Sequence, residues 1–200
     1  DSGNSEYREW LQNKFGSRFE IIPVSEHCVG QPAAINFIFN YLSALDVDYF
    51  LQTEDDWMLN RPIEISQIAN CLSTLGDVCQ MRIPRSVWHE TNTHYLDLEH
   101  GTLLNYYISQ HEHVKKEKWY EIQTDSYFWS HNPNVFKRNI LNIQYPENGI
   151  ESEYLFGKKL ISLGFTAFAY WATNPYESYV SHIGYHEKYL GNALPEFFNL

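Results

Sequence analysis

The 200-residue chain has no apolar run near 18 residues, so no membrane-spanning helix is expected from it. It has three cysteines, Cys28, Cys71 and Cys79, an odd count without paired spacing. They read as free thiols in a reducing, cytoplasmic compartment and do not support a cysteine-type zinc site. Cations are scarce: 14 Lys plus Arg stand against 25 Asp plus Glu, for a net charge of −11. That balance argues against a nucleic-acid partner, which needs a basic stripe, and against a polybasic membrane anchor. No repeat, low-complexity run or Gly/Ser linker divides the chain, and a single domain over residues 1–200 is expected. It opens on Asp1 with no initiator Met or signal peptide, so trimming or processing upstream is expected.

What is abundant is apolar and aromatic. Hydrophobic residues make up 44% and aromatic ones 16%, with 15 Tyr, 12 Phe and 6 Trp, enough for a packed core and for rings that stack in a cleft. Asn4-Ser5 caps a helix through Tyr7, Trp10, Leu11 and Phe15 that stops at Gly16, and residues 19–24 (FEIIPV) form a short strand. Gly30-Gln31-Pro32 opens a second helix, with Ile35, Ile38, Phe39, Leu42 and Leu45 on one face. Residues 48–54 are a strand. Pro62 starts a helix carrying Ile65, Ile68, Leu72 and Leu75, and residues 78–83 are a strand again. Alternation of this kind predicts crossover units and an α/β fold with a mixed, mostly parallel sheet flanked by helices.

Residues 84–119 are less regular, with long loops and one or two antiparallel strands expected; His111 and His113 read as exposed loop. Residues 126–130 form a strand, and Asn132-Pro133-Asn134 turns into a short helix. Residues 150–163 are a last strong helix through Phe156, Leu160 and Leu163, stopped by Gly164; residues 165–171 are a final strand. No assignment is made from His182 onward.

The sharpest chemical feature is Glu54-Asp55-Asp56-Trp57, three acids directly after the apolar strand residues Tyr49-Phe50-Leu51. Ligands of parallel sheets sit beyond the carboxyl ends of strands, where these acids fall. Adjacent carboxylates repel, and hard oxygen donors suit Mg²⁺ or Mn²⁺, which also bind phosphate oxygens. The competing reading is a solvated acidic turn. Glu151 and Glu153 at the start of the last helix are candidates for proton transfer, or acids placed by the helix dipole. His182 is a candidate ligand or a hydrogen-bonded structural residue. Arg82 and Arg85 read either as anion contacts or, with slight preference, as a surface pair.

Taken in order, Gly30-Gln31-Pro32-Ala33-Ala34-Ile35-Asn36, then the Glu54-Asp55-Asp56-Trp57 strand end, resembles the core of GT-A glycosyltransferases. The likeness is to the large inverting family that includes cellulose, chitin and hyaluronan synthases, some members of which carry an EDDW form of the DxD motif. Ser130-His131-Asn132-Pro133, the stretch Glu151-Ser152-Glu153 followed by Lys159-Leu160 and Gly164, and Ser181-His182-Ile183-Gly184 resemble later segments of that family, and Asp1-Ser2-Gly3-Asn4-Ser5 resembles its base-contacting turn. The resemblance implies a GT-A-like, Rossmann-type fold lacking its first strand, with a nucleotide-sugar half at 1–83 and an acceptor half with its tail at 84–200. It implies an inverting sugar transfer from a UDP- or GDP-linked donor to a glycan, lipid or protein acceptor. Asp56 with Glu54 and His182 would hold Mn²⁺ or Mg²⁺. Asp1, Gln31, Asn36, Glu54, Asp55 and Trp57 would contact the donor. Glu153 would be the general base, with Glu151 the alternative because the family's usual Glu-Asp pair is absent. Two rival readings are a metal-dependent phosphohydrolase and a non-catalytic nucleotide-sugar-binding module.

Overall fold

A computed structural model describes residues 5–20, 22, 30–54, 57–85, 103–123, 129–147 and 152–182. Five α-helices, a 3-10 turn (Arg138–Ile140) and eight strands are described: α1 (Ser5–Phe15), α2 (Gln31–Ser43), β1 (Tyr49–Gln52), β2 (Trp57–Leu59), α3 (Ile65–Ser73), β3 (Val78–Arg82), α4 (Leu103–Gln110), β4 (His113–Lys115), β5 (Trp119–Gln123), β6 (Asn134–Lys137), α5 (Ser152–Ser162), β7 (Ala167–Trp171) and β8 (Val180–His182). Local chemistry accounts for the helix ends. Gly30 takes φ 84 and Pro32 sits in the first turn of α2, where a missing N–H costs nothing. Gly164 takes φ 94 after α5; its N–H donates to the Ile161 carbonyl at 2.9 Å and that of Phe165 to Leu160 at 3.1 Å, a Schellman closure.

Six strands form one sheet in the order β1-β6-β3-β7-β5-β4, and a separate two-stranded ladder joins β2 to β8. Strands from both sides of residue 83 interleave in the large sheet. Within it, β3 and β7 make the sole parallel pair among the described residues; the other four pairings are antiparallel. The mixed α/β class holds, but the expectation of a mostly parallel sheet does not. The reason is β6. It enters between β1 and β3 and runs against both, with Gln52 and Arg82 each in register with Asn134. Residue 134 thus begins a strand, where its Asn-Pro-Asn turn signal predicted a short helix. A ladder on each side satisfies the backbone of β6 and overrides that local preference.

Other expectations also shift. Phe19, Glu20 and Ile22 carry no strand, and the rest of 19–24 lies outside the described residues. Trp129 and Ser130 are irregular, with 126–128 likewise outside. His113 opens β4, and α4 forms in a region read as loop.

Side-chain alternation splits the core between the two faces of the sheet. One face packs Phe136, Tyr120, Ile122, Phe168 and Tyr170 against Ile35 and Phe39 of α2, Leu104 of α4 and Phe156 and Leu160 of α5. The other packs Val78, Met81, Val135, Ala167, Ala169 and Trp171 against Ile68 and Leu72 of α3. Helix α1 buries none of its residues. No helix among the described residues is long and apolar enough to cross a membrane.

Candidate functional site

One rim of the sheet gathers the chemistry. Strands β1 and β3 end there, β6 begins there, and the register sets Gln52, Asn134 and Arg82 side by side on three neighbouring strands. Glu54 follows β1 and is exposed. Residues 129–133 lead into β6, and the N-terminus of α5 brings Ser152 and Glu153.

The row is polar yet buried: Gln80, Arg82, Ser130, His131, Asn134 and Ser152 are all within the interior. Buried polar groups persist only when hydrogen-bonded, and these bond to one another. Gln80 Nε2 donates to the Ser130 carbonyl at 2.6 Å, and Arg82 Nε donates to Gln80 Oε1 at 3.3 Å. The Arg82 guanidinium lies 4.1 Å from the ring centre of Phe168, between Tyr107 and Tyr170. Asn134 Nδ2 donates to the Ser130 and Asn132 carbonyls and, at 3.4 Å, to Gln52 Oε1. The preference for Arg82 as a surface residue is thereby corrected: aromatic faces and a buried amide accommodate its charge. Arg85, half-buried, donates to Asn132 Oδ1 at 3.0 Å and lies over the Trp57 ring at 5.4 Å.

His131 is central. Its ring nitrogens meet Gln52 Nε2 at 2.7 Å and the Tyr145 hydroxyl at 2.8 Å, and that hydroxyl meets Ser152 Oγ at 3.2 Å. Burial pushes the imidazole down to about 4, so it is neutral at physiological pH. The His131 backbone N–H donates to Glu153 Oε1 at 2.7 Å. The Glu153 side chain is 32% exposed. Its burial raises the carboxyl above its ordinary value, while the His131 amide and the charges of Arg82 and Arg85 pull it back part of the way. Tyr145 is pushed up to about 12, chiefly by burial.

The two flanks of Asp55-Asp56 are held together, since Trp57 N–H donates to the Glu54 carbonyl at 3.4 Å. Strand β2 then pairs with β8 so that Trp57 stands opposite His182, and Arg85 bridges to Val180. The ladder therefore carries the backbone of His182 to the residue that follows the acids, although the two segments are far apart in the chain. A cleft of about 820 Å³ opens beside β1, lined by Gln31, Gln52, Thr53, Glu54 and His131 and floored by apolar groups including Ile35, Phe39 and Phe50.

Asp1, Asp55, Asp56 and Glu151 lie outside the described residues, as does the side chain of His182. Gln31 lines the cleft, whereas Asn36 spends its carboxamide on Tyr145, donating to its carbonyl at 2.9 Å and accepting from its N–H at 2.7 Å. Asn36 thereby ties α2 to the segment before α5. Glu54, Trp57 and Glu153 converge on the rim. Among the described residues no three His, Cys, Asp or Glu side chains cluster as a metal site. The donor types gathered here, a rim carboxylate with two more acids next in sequence and an imidazole-bearing strand opposite, fit a hard or borderline divalent cation.

Sequence reasoning missed His131, Gln52 and Tyr145. The signal was available in part: Gln52 and Gln80 are amides inside otherwise apolar strands, and such residues in a sheet demand a partner.

No family model matches the chain, and no curated protein or solved structure matches it either.

Proposed function

We propose that this domain transfers a sugar from a UDP- or GDP-linked donor to an acceptor hydroxyl of a glycan, lipid or protein. The observation that carries the reading is the convergence on one rim of Glu153 with the strand that runs into Glu54-Asp55-Asp56. They are joined through Gln52 and His131 in a few hydrogen bonds. A carboxylate raised above its ordinary value and only partly exposed suits a general base, because it holds a proton more firmly than a free glutamate and still reaches substrate. Glu153 takes the proton of the attacking hydroxyl. The cleft beside β1 takes the donor, with Gln31, Thr53 and Glu54 supplying polar contacts over an apolar floor. Glu54, Asp55, Asp56 and His182 would hold Mn²⁺ or Mg²⁺, which when bound supplies positive charge to the departing diphosphate.

A panel of nucleotide sugars with Mn²⁺, read by thermal shift, tests the binding half. A selective donor raises the melting midpoint through mass action, and Asp56→Ala removes that rise without unfolding the protein. Glu153→Gln keeps donor binding and lowers turnover by roughly 10²–10⁴. No shift with any donor overturns the reading. Release of free sugar without acceptor would make the protein a hydrolase, and binding without turnover would make it a binding module.

A further inference from the structure

We propose that His131 is a positioning residue: its imidazole, pinned at both nitrogens, fixes the main-chain N–H that holds the Glu153 carboxylate. The inference rests on the reading of Glu153 as the base.

One placement of protons satisfies the whole chain of hydrogen bonds. Gln52 Oε1 faces Asn134 Nδ2, an N–H donor, at 3.4 Å, which turns Gln52 Nε2 toward His131 Nδ1. Nδ1 must then accept. A neutral imidazole carries its proton on the other nitrogen, so Nε2–H donates to the Tyr145 hydroxyl, and that hydroxyl donates onward to Ser152 Oγ. His131 is 4% exposed, and its ring packs against Trp129, edge-on at 6.1 Å, and Tyr145 at 5.3 Å. Asn36 in turn anchors the Tyr145 backbone from α2. Two connections therefore run from one side chain to the start of α5. One passes through the His131 amide to the Glu153 carboxylate, and the other through Tyr145 to Ser152, the residue before it. A third runs through Gln52 to the strand that leads into the acids. Reaction rates are steep in placement, so the arrangement serves a base that must meet one hydroxyl. The other groups that face Glu153 electrostatically are Arg82 and Arg85, at and past the end of β3, and Tyr145.

The test uses Tyr145→Phe and Gln52→Leu, alone and together, because each removes one hydrogen bond of the ring and leaves residue 131 in place. The first readout is independent of activity. In the parent, the residue 131 amide shift in ¹H–¹⁵N spectra should follow protonation of the Glu153 carboxylate, and the difference between the parent and Glu153→Gln separates that component from the titration of the residue 131 ring itself. Each single variant should at least halve the Glu153 component, and the double variant should remove it. With a competent donor and acceptor, Tyr145→Phe should lower kcat by up to about 10²-fold at unchanged donor KM. If that component keeps its full amplitude in the double variant, the ring does not position the carboxylate and the proposal is overturned. If the parent transfers no sugar but the amide behaves as expected, the proposed function fails and the positioning role stands.

Discussion

Strands β1 and β3 run in the same direction and end at the same rim, yet their surroundings differ. All five residues of β3 are buried, and it lies between β6 and β7. Among the described residues β1 is an edge strand of the sheet, none of its residues is fully buried, and Leu51 is 46% exposed. The enclosed strand carries Gln80 and Arg82, whose partners are protein groups. The edge strand leads into Glu54, which faces solvent and the cleft. The enclosed strand spends its polar side chains on a buried layer, and the edge strand leaves Glu54 open to solvent. The rim combines them, with β6 and His131 as the link.

Four substitutions or conditions test this contrast. The largest loss is expected at Met81, fully buried in β3 against the α3 face: Met81→Ala should cost about 2–5 kcal/mol in urea unfolding. A loss below about 1 kcal/mol would show that the packing around β3 yields like that of an edge strand.

Acid comes next. His131 is held near 4 in the fold against an ordinary 6.5, so below 6.5 the unfolded chain takes up the proton first. Its contribution is complete above pH 6.5 and is lost as pH falls from there to about 4, by up to about 3 kcal/mol. Glu153 works the other way. Its raised folded value lets the native state bind a proton more readily than the unfolded chain, which recovers some stability on acidification. Glu153→Gln should therefore steepen the acid loss, as measured by melts across that range; a flatter profile would reverse the assignment.

Gln80→Leu should cost about 1–2 kcal/mol, because Arg82 Nε loses an acceptor while the Ser130 carbonyl keeps Asn134. The smallest effect belongs to β1: Leu51→Thr should change stability by no more than about 0.5 kcal/mol. If Leu51 and Met81 were equally sensitive, the contrast between edge and centre would collapse.

The same contrast explains what could be read from residues alone. Helices α2, α3 and α5 were visible because their apolar positions repeat at three- and four-residue steps and glycine or proline marks an end. β1, β3 and β7 were visible as apolar runs. β6 was not, since four residues after a proline turn carry almost no periodicity, and its identity as a strand comes from the partners it finds far away in sequence. The pairing of β2 with β8 was hidden for the same reason. Of the residues at the rim, Glu54, Trp57 and Glu153 stand out in the sequence because acids and rings advertise themselves. His131 could be placed in a Ser-His-Asn-Pro segment but given no role, because its importance lies in what it touches. Asn36 binds its own protein's backbone where a donor contact was expected. An asparagine in a helix gives no sign, before the fold is known, of which backbone will claim its amide.

Among the described residues the β2–β8 ladder has three pairs, and two of the three β2 residues, Met58 and Leu59, are at least half exposed. A strand with so little buried apolar surface can open at low free energy while the rest of the fold stays intact. Its amides should exchange with solvent deuterium well ahead of those of β3 and β7, on a clock set by local opening and independent of global unfolding. Each opening would separate the His182 backbone from Trp57 and reverse on closing, so the join between the two distant ends of the site can be broken and remade many times within the lifetime of one folded molecule.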